Sequence, residues 1–379
     1  MDSSIGLYVH VPFCVSRCDY CAFATWAGSE GAIGDYIEAV LAELRLRRQV
    51  GDPFSVQTLY FGGGTPSLVP ARDIARIIEE IGPEPGAEIT IECNPESVTR
   101  DKLKAYKGAG VNRVSLGLQS FSGEVLRSLG RSHDPKDIYP AVEAIDGAGI
   151  ENYSVDLIYG AANESLAALE ETVRKVLELS PAPMHVSAYA LTVEKNTPLA
   201  RDLARYPNED YQAVAYTLID EMLTGQGMGW YEISNWSRPG YFSRHNWNYW
   251  MQGEYLGLGC SAHSHLGSRR TWNIFNFNRY ILVAGNSGDP TAGSEEVSGH
   301  EKATEALELL LRTNVGIPAT AIDRFDEVAS LCDLVDGVAT LNLKGRLLAN
   351  QVALRLDPSR VGLEELKWFQ KQTPEMISS

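Results

Sequence analysis

The sequence is poor in cysteine, poor in positive charge and without a long apolar run, and each shortage removes a class of protein. Six cysteines occur in 379 residues, three crowded between positions 14 and 21 and three scattered at Cys93, Cys260 and Cys332. That distribution is no disulfide framework for a chain of this size and points to a reducing compartment. Lysine and arginine number 33 against 49 aspartates and glutamates, a formal net charge of −16, with a pI near 4.9. A phosphate backbone demands a basic face, so nucleic acid is not an expected partner. No apolar stretch approaches the roughly 18 residues that span a bilayer, so no transmembrane segment is expected. The opening MDSSIGLYVHVPFC has neither a basic n-region nor a long apolar h-region, and a cytoplasmic location is the expectation. No internal repeat or low-complexity tract stands out.

What remains is the composition of an ordinary folded protein, 44% hydrophobic and 22% charged, long enough for one large α/β domain and a smaller appendage. Short apolar runs at Ile5–Val9, Val56–Phe61, Glu88–Glu92, Arg113–Gly117, Asn152–Tyr159 and Met184–Ala190 read as strands. Amphipathic stretches at Tyr36–Gln49, Arg72–Glu80, Glu124–Leu129, Pro140–Ala148 and Ser165–Leu179 read as helices between them. Strand, crossover helix and strand, repeated about six times, imply a parallel β/α sheet whose closure periodicity does not reveal. The segment Trp230–Phe277 has little periodicity and holds five of the seven tryptophans. Residues 284–300 turn to Gly, Ser, Asp and Pro and read as a connector. Beyond it, Glu301–Thr313 reads as a helix, and Leu341–Leu356 as short strands around a Lys344-Gly345-Arg346 turn. The expected organisation is therefore a domain over 1–283, a connector over 284–300 and a small α+β domain over 301–379.

The unusual residues fall at strand ends. A first run leads into Cys14, and GGGTP (Gly62–Pro66) follows the second. ECNPE closes the third, LGLQSF the fourth, DLIYG the fifth and AYALT the sixth. Sites in β/α folds are built at the carboxyl ends of strands, so six motifs converge on one rim. Cys14, Cys18 and Cys21 have C-x3-C-x2-C spacing, which suits three thiolates gripping one face of an iron–sulfur cube and leaving one iron open. Structural zinc is the alternative, but zinc wants a fourth ligand, and no second C-x2-C pair occurs. The glycine loop lacks the Gly-Lys-Ser/Thr of a phosphate loop.

These motifs together carry a family resemblance. C-x3-C-D-Y-C after YVHVPF, with GGGTP later, resembles the radical S-adenosylmethionine (SAM) superfamily. EISN, HNWNYW and a small C-terminal domain bring it closer to the subgroup of oxygen-independent coproporphyrinogen III oxidase and HemW-type heme chaperones. The resemblance implies a partial (β/α)6 barrel of radical SAM type with a small α+β C-terminal domain. It implies that Cys14, Cys18 and Cys21 hold a 4Fe–4S cluster whose fourth iron is chelated by the methionine end of SAM. An electron passed through such a cluster, from a separate donor, can cleave the sulfonium to a 5′-deoxyadenosyl radical. By the same resemblance Tyr20 and Phe23 flank the cofactor, and Gly63, Gly64 and Thr65 lie in the loop that receives its amino group. Glu92 accepts from a ribose hydroxyl, and Gln119, Arg131, Asp156, Tyr8 and Ala190 complete the contacts. Arg131 suits a carboxylate through its planar fork.

His245-Asn246-Trp247-Asn248-Tyr249-Trp250 is similar to a motif associated with heme in the chaperone branch, which implies His245 as a heme ligand. A neutral imidazole is a common axial ligand, and flat aromatic walls suit a macrocycle. His263 and His265 could share a strand face and are a weaker pair of ligands. The oxidase pattern carries a further cysteine where this chain has Phe23, and a longer arm before the cluster than the 13 residues here. The expectation is a heme chaperone that binds cluster, SAM and heme and passes heme to an acceptor protein, and not a classical enzyme. Radical decarboxylation of coproporphyrinogen III is the alternative.

Overall fold

The structure, a computed structural model, describes residues 3–51 and 53–374. Its frame is a run of strands labelled β1 (Ser3–Val11), β2 (Phe54–Gly63), β3 (Glu88–Cys93), β4 (Arg113–Gln119), β5 (Asn152–Tyr159) and β6 (His185–Ala190). They lie side by side in sequence order and all parallel. All seven residues of β4 are buried, as expected of a strand covered on both faces by crossover helices. The helices are α1 (Ile33–Val50), α2 (Ala71–Ile81), α3 (Arg100–Gly108), α4 (Gly123–Ser128), α5 (Ile138–Ala148) and α6 (Leu166–Leu177). In α2 the buried Ile74, Ile77, Ile78 and Ile81 recur at helical spacing, and the helix stops at Gly82, whose φ of 57° a side chain would resist.

The aromatic segment is more regular than its sequence suggests, because its strands extend the sheet at both ends. After α7 (Glu209–Thr224) come β7 (Gly229–Glu232) and β8 (Asn235–Ser237), with β8 antiparallel to β6. Helix α8 (Arg244–Trp250) follows, then β9 (Tyr255–Leu258), parallel to β1. From β9 the sheet continues antiparallel through β10 (His263–Leu266), β11 (Arg269–Asn273) and, after α9 (Phe277–Gly285), β12 (Thr291–Glu296). The twelve-stranded order is β12-β11-β10-β9-β1-β2-β3-β4-β5-β6-β8-β7. An order with two ends is an open sheet, which makes this an α/β fold with a partial barrel. The segment 284–300 is not a bare connector, since it carries β12.

The C-terminal part is α+β: α10 (Gly299–Leu311), a small sheet of β13 (Ile317–Pro318), β14 (Cys332–Val335) and β15 (Val338–Leu341), then α11 (Leu343–Leu347), α12 (Ala349–Ala353) and α13 (Leu363–Phe369). The strands expected around Lys344 are helices instead. Asn342 caps α11 by accepting from Gly345 N at 2.9 Å. Gly345 packs so tightly that an added Cβ would lie 1.9 Å from Leu331 O. Arg346 is buried, its guanidinium 4.5 Å from the Trp230 ring centre and paired with both oxygens of Asp220. Tyr231, Trp247 and Met251 belong to the same apolar core as these helices, so the aromatic segment serves both units.

Candidate functional site

A cavity of about 840 Å³ opens at the carboxyl ends of the six parallel strands, and all three clustered cysteines line it. The loop that carries them is fixed from below. Phe13–Cys14 pairs with Trp26–Ala27, Gly64 N donates to Val11 O at 2.7 Å and Thr65 N to Phe13 O at 2.8 Å. A Cβ on Gly64 would stand 2.6 Å from Phe13 O and 3.0 Å from Cys14 Sγ, so only glycine lets the two loops close up. Gly63 has φ 114° and would drive a Cβ into the His10 ring at 2.5 Å. On the far side Asp19 N donates to Leu129 O at 3.1 Å, and its carboxylate pairs with Arg205 at 2.8 Å.

Each rim thiol is half-buried, and two of them meet hydrogen-bond donors. Thr65 Oγ1 donates to Cys14 Sγ at 3.8 Å, and Arg131 Nη1 donates to Cys18 Sγ at 3.5 Å. Burial pushes the Cys14 thiol up, with the Thr65 hydroxyl opposing; burial likewise raises Cys21, opposed by the Phe23 backbone N–H. Donors aimed at sulfur and a guanidinium beside it favour thiolate ligands and tune a cluster held by them. Among the described residues no three His, Cys, Asp or Glu side chains gather closely enough to hold a single metal ion. A cluster binds each thiolate through a different iron, and three cysteines lining one cavity suit that arrangement.

Above and beside the thiols stand the other expected residues. Tyr20, Phe23, Gly63, Gly64, Thr65, Glu92, Gln119, Arg131, Asp156 and Ala190 all line the same cavity. Glu92 accepts from Tyr60 Oη at 2.9 Å and from Gly63 N at 3.0 Å. Burial and then the nearby Asp156 carboxylate push Glu92 up to about 7. Asp156 is itself raised by burial, opposed by hydrogen bonds from Ser187 and Ser115. Gln119 sits at φ 66°, where the register to β5 shifts; such a conformation in a side-chain-bearing residue is a feature of functional rims. Phe23 is 66% exposed at the mouth.

Two expected residues lie elsewhere. Tyr8 is not among the cavity's lining residues; its hydroxyl meets His10 Nδ1 at 3.1 Å and its ring stacks on Tyr60. His245 is 1% exposed, with Nδ1 against Thr58 Oγ1 at 2.8 Å and Nε2 against Tyr249 Oη at 2.9 Å. Its ring stacks on Tyr60 at 5.0 Å, and burial, then the Arg113 charge, lower its pKa to about 3. Both nitrogens of the His245 imidazole are thus engaged within the protein, and the ring lies outside the cavity lining. His263 and His265 lie on β10, away from the cavity lining.

Asn94, Tyr60 and Arg113 are cavity residues that the sequence reading does not single out. Asn94 bridges the rim, donating to Thr65 Oγ1 at 3.1 Å and accepting from Arg131 Nη2 at 2.7 Å. The Asn-Pro pair inside ECNPE is the one signal that could have marked it. Tyr60 links Glu92 to the His245 ring, and Arg113 lies buried at the start of β4.

The sequence matches the Radical SAM superfamily over residues 8–176. Over 369 residues it is 36% identical to "Heme chaperone HemW" of Mycobacterium tuberculosis, covering 93% of this chain and 94% of that one. The protein of the same name from Bacillus subtilis is 31% identical over 82% of this chain and 84% of its own. In three dimensions the chain is similar to coproporphyrinogen III oxidase (HemN) from Escherichia coli, with a TM-score of 0.81 and 22% identity over 93% of this chain and 90% of the other. That likeness shows the shared fold.

Proposed function

The chain belongs to the HemW family of the radical SAM superfamily, and from that premise we propose that it is a cluster- and SAM-binding heme chaperone that passes heme to an acceptor protein. The observation that carries the cofactor part is the convergence of Cys14, Cys18 and Cys21 on one cavity wall, with Arg131 and Thr65 donating to two of the sulfurs. These three thiolates hold a 4Fe–4S cluster. When bound, the cluster and SAM supply one-electron chemistry at the cavity mouth.

The chain's own residues then position and insulate. Arg131 places positive charge beside Cys18 and is held in aim by Asn94 and the Gly117 carbonyl, at 2.7 and 3.1 Å. Glu92 and Asp156 offer acceptors deep in the cavity, where ribose hydroxyls of SAM would satisfy them and lower the cost of their burial. Gly63 and Gly64 let backbone approach where side chains would not fit. The half-buried thiols leave the cluster within reach of an electron donor at the mouth. Among the described residues no helix is long and apolar enough to cross a membrane.

The heme part rests on the names of the relatives and on the cavity's size, which is ample for a ligand beyond one nucleoside. Phe23 stands where the oxidase pattern has a further cysteine, which favours binding over ring oxidation. Anaerobically reconstituted protein incubated with coproporphyrinogen III, SAM and reductant tests the choice. The expected product is none at catalytic turnover, with heme taken up intact in a parallel sample. Multiple-turnover formation of protoporphyrinogen IX would replace the chaperone with the oxidase.

A further inference from the structure

The cavity contains one charge that the cluster and the nucleoside leave unused. Arg113 opens β4, and Arg113, Ser115, Gly117 and Gln119 alternate onto the cavity face. Gln119 stands at the rim, so Arg113 lies roughly 20 Å of strand below it. Its side chain is 2% exposed, and its Nε has no hydrogen-bond partner. Among the described residues no carboxylate comes within ion-pair distance of it, whereas the other buried arginine, Arg346, is held by Asp220 at 2.7 and 2.9 Å.

A guanidinium stays charged at any working pH, and an unpaired buried charge is costly. Water can occupy its N–H groups but supplies no counter-charge. Around Arg113 the polar groups are mostly neutral. Burial and then the Arg113 charge hold His245 and His185 unprotonated, and Tyr60 and Tyr231 stay phenols, raised first by burial. The Asp156 carboxylate feels this cation, but it is shared with Ser187 and Ser115. Tyr189 and Asn246 line the cavity as well.

We propose that the floor of the cavity is a carboxylate subsite in which the Arg113 fork holds the anionic end of a bound small molecule. This deepens the heme reading and rests on it for the ligand. The carboxylate belongs either to a porphyrin propionate or to the aminoacyl end of SAM, and the first is favoured, since Arg131 already stands at the rim beside the cysteines.

The test uses the reconstituted full chain and its Arg113→Gln variant, with heme, heme dimethyl ester and SAM as probes, and with melting and iron content as fold controls. Arg113→Gln is expected to weaken heme at least about tenfold, to leave the ester and SAM unchanged, and so to erase the preference for the diacid. Arg113→Lys, which keeps the charge without the fork, is expected to fall between the two and replaces Gln should that variant melt early. A selective loss of SAM affinity would keep the subsite and give it to the nucleoside. Unchanged affinity for both heme and SAM in a folded variant would overturn the proposal. Should the wild type take up no heme, the heme reading fails by itself, and the SAM comparison still decides the role of Arg113.

Discussion

The rim and the floor of the cavity are built on opposite terms. At the rim, thiols stand half-buried with loose donors at 3.5 and 3.8 Å, and the surrounding glycines and Asn94 exist to hold two loops together. At the floor, Tyr60 is tied to Glu92 and stacks on His245 behind it, whose nitrogens are both engaged at 2.8 and 2.9 Å, while Arg113 has no carboxylate within ion-pair distance among the described residues. The rim is thus a set of ligands awaiting a partner. The floor is a closed hydrogen-bond network with one open charge. The lesson is that a residue's chemistry is advertised by what its neighbours leave unsatisfied, and His245 already has both of its nitrogens engaged.

That contrast can be tested in five places. Replacing Cys14, Cys18 or Cys21 by alanine is expected to reduce reconstituted iron and sulfide to background, while Cys93→Ala and Cys260→Ala keep them; metal and sulfide analysis reads the difference. Next in size, Arg346→Met leaves Asp220 buried without its partner and should cost about 3–5 kcal/mol in denaturant unfolding. Arg113→Gln, which removes an unpaired cation, should cost far less than that.

Glu92 gives a pH signature. Its pKa of about 7 in the folded chain stands above its ordinary value of 4.5, so the native state holds a proton that the unfolded state has lost. The share of stability that Glu92 contributes without cofactor therefore falls as pH rises from 4.5 to about 7 and is level above. Glu92→Gln should remove that share, making the slope shallower than in the wild type by about 3 kcal/mol between the ends, visible in melts of the two proteins across the range; Asp156, Glu164 and Glu232, also raised by burial, keep the rest. Smallest is His245→Phe, which leaves Thr58 and Tyr249 without a partner and should cost about 2 kcal/mol with no change in the Soret band of bound heme. Loss of that band would return His245 to the iron.

The frame and the rim were legible because their signals are local. Buried parallel strands are continuous apolar runs, and the cluster loop, Gly62–Pro66 and the strand-end motifs are contiguous. The floor was not, because its contacts join distant segments: His245 meets Thr58, and Arg113 is an ordinary strand residue until folding brings Tyr60 and Asp156 to the same cavity. Helix α3 was hidden by its charge, with only Leu103 and Tyr106 buried. The α11 and α12 segment read as strands because the Asn342 cap, the Gly345 contact and the Asp220 partner of Arg346 appear only in the folded chain. The strands β7 to β12 lacked periodicity in sequence because they are short and set by pairing at the sheet's two ends.

The central claim is that a chain with this cluster site handles heme as cargo. Titration of heme into anaerobically reconstituted protein, followed by addition of an apo heme protein, tests it most directly. The account predicts a saturable Soret change at about one heme per chain and its transfer, intact, to the acceptor. Absence of saturable uptake, or bound heme that no acceptor can draw off, would contradict it.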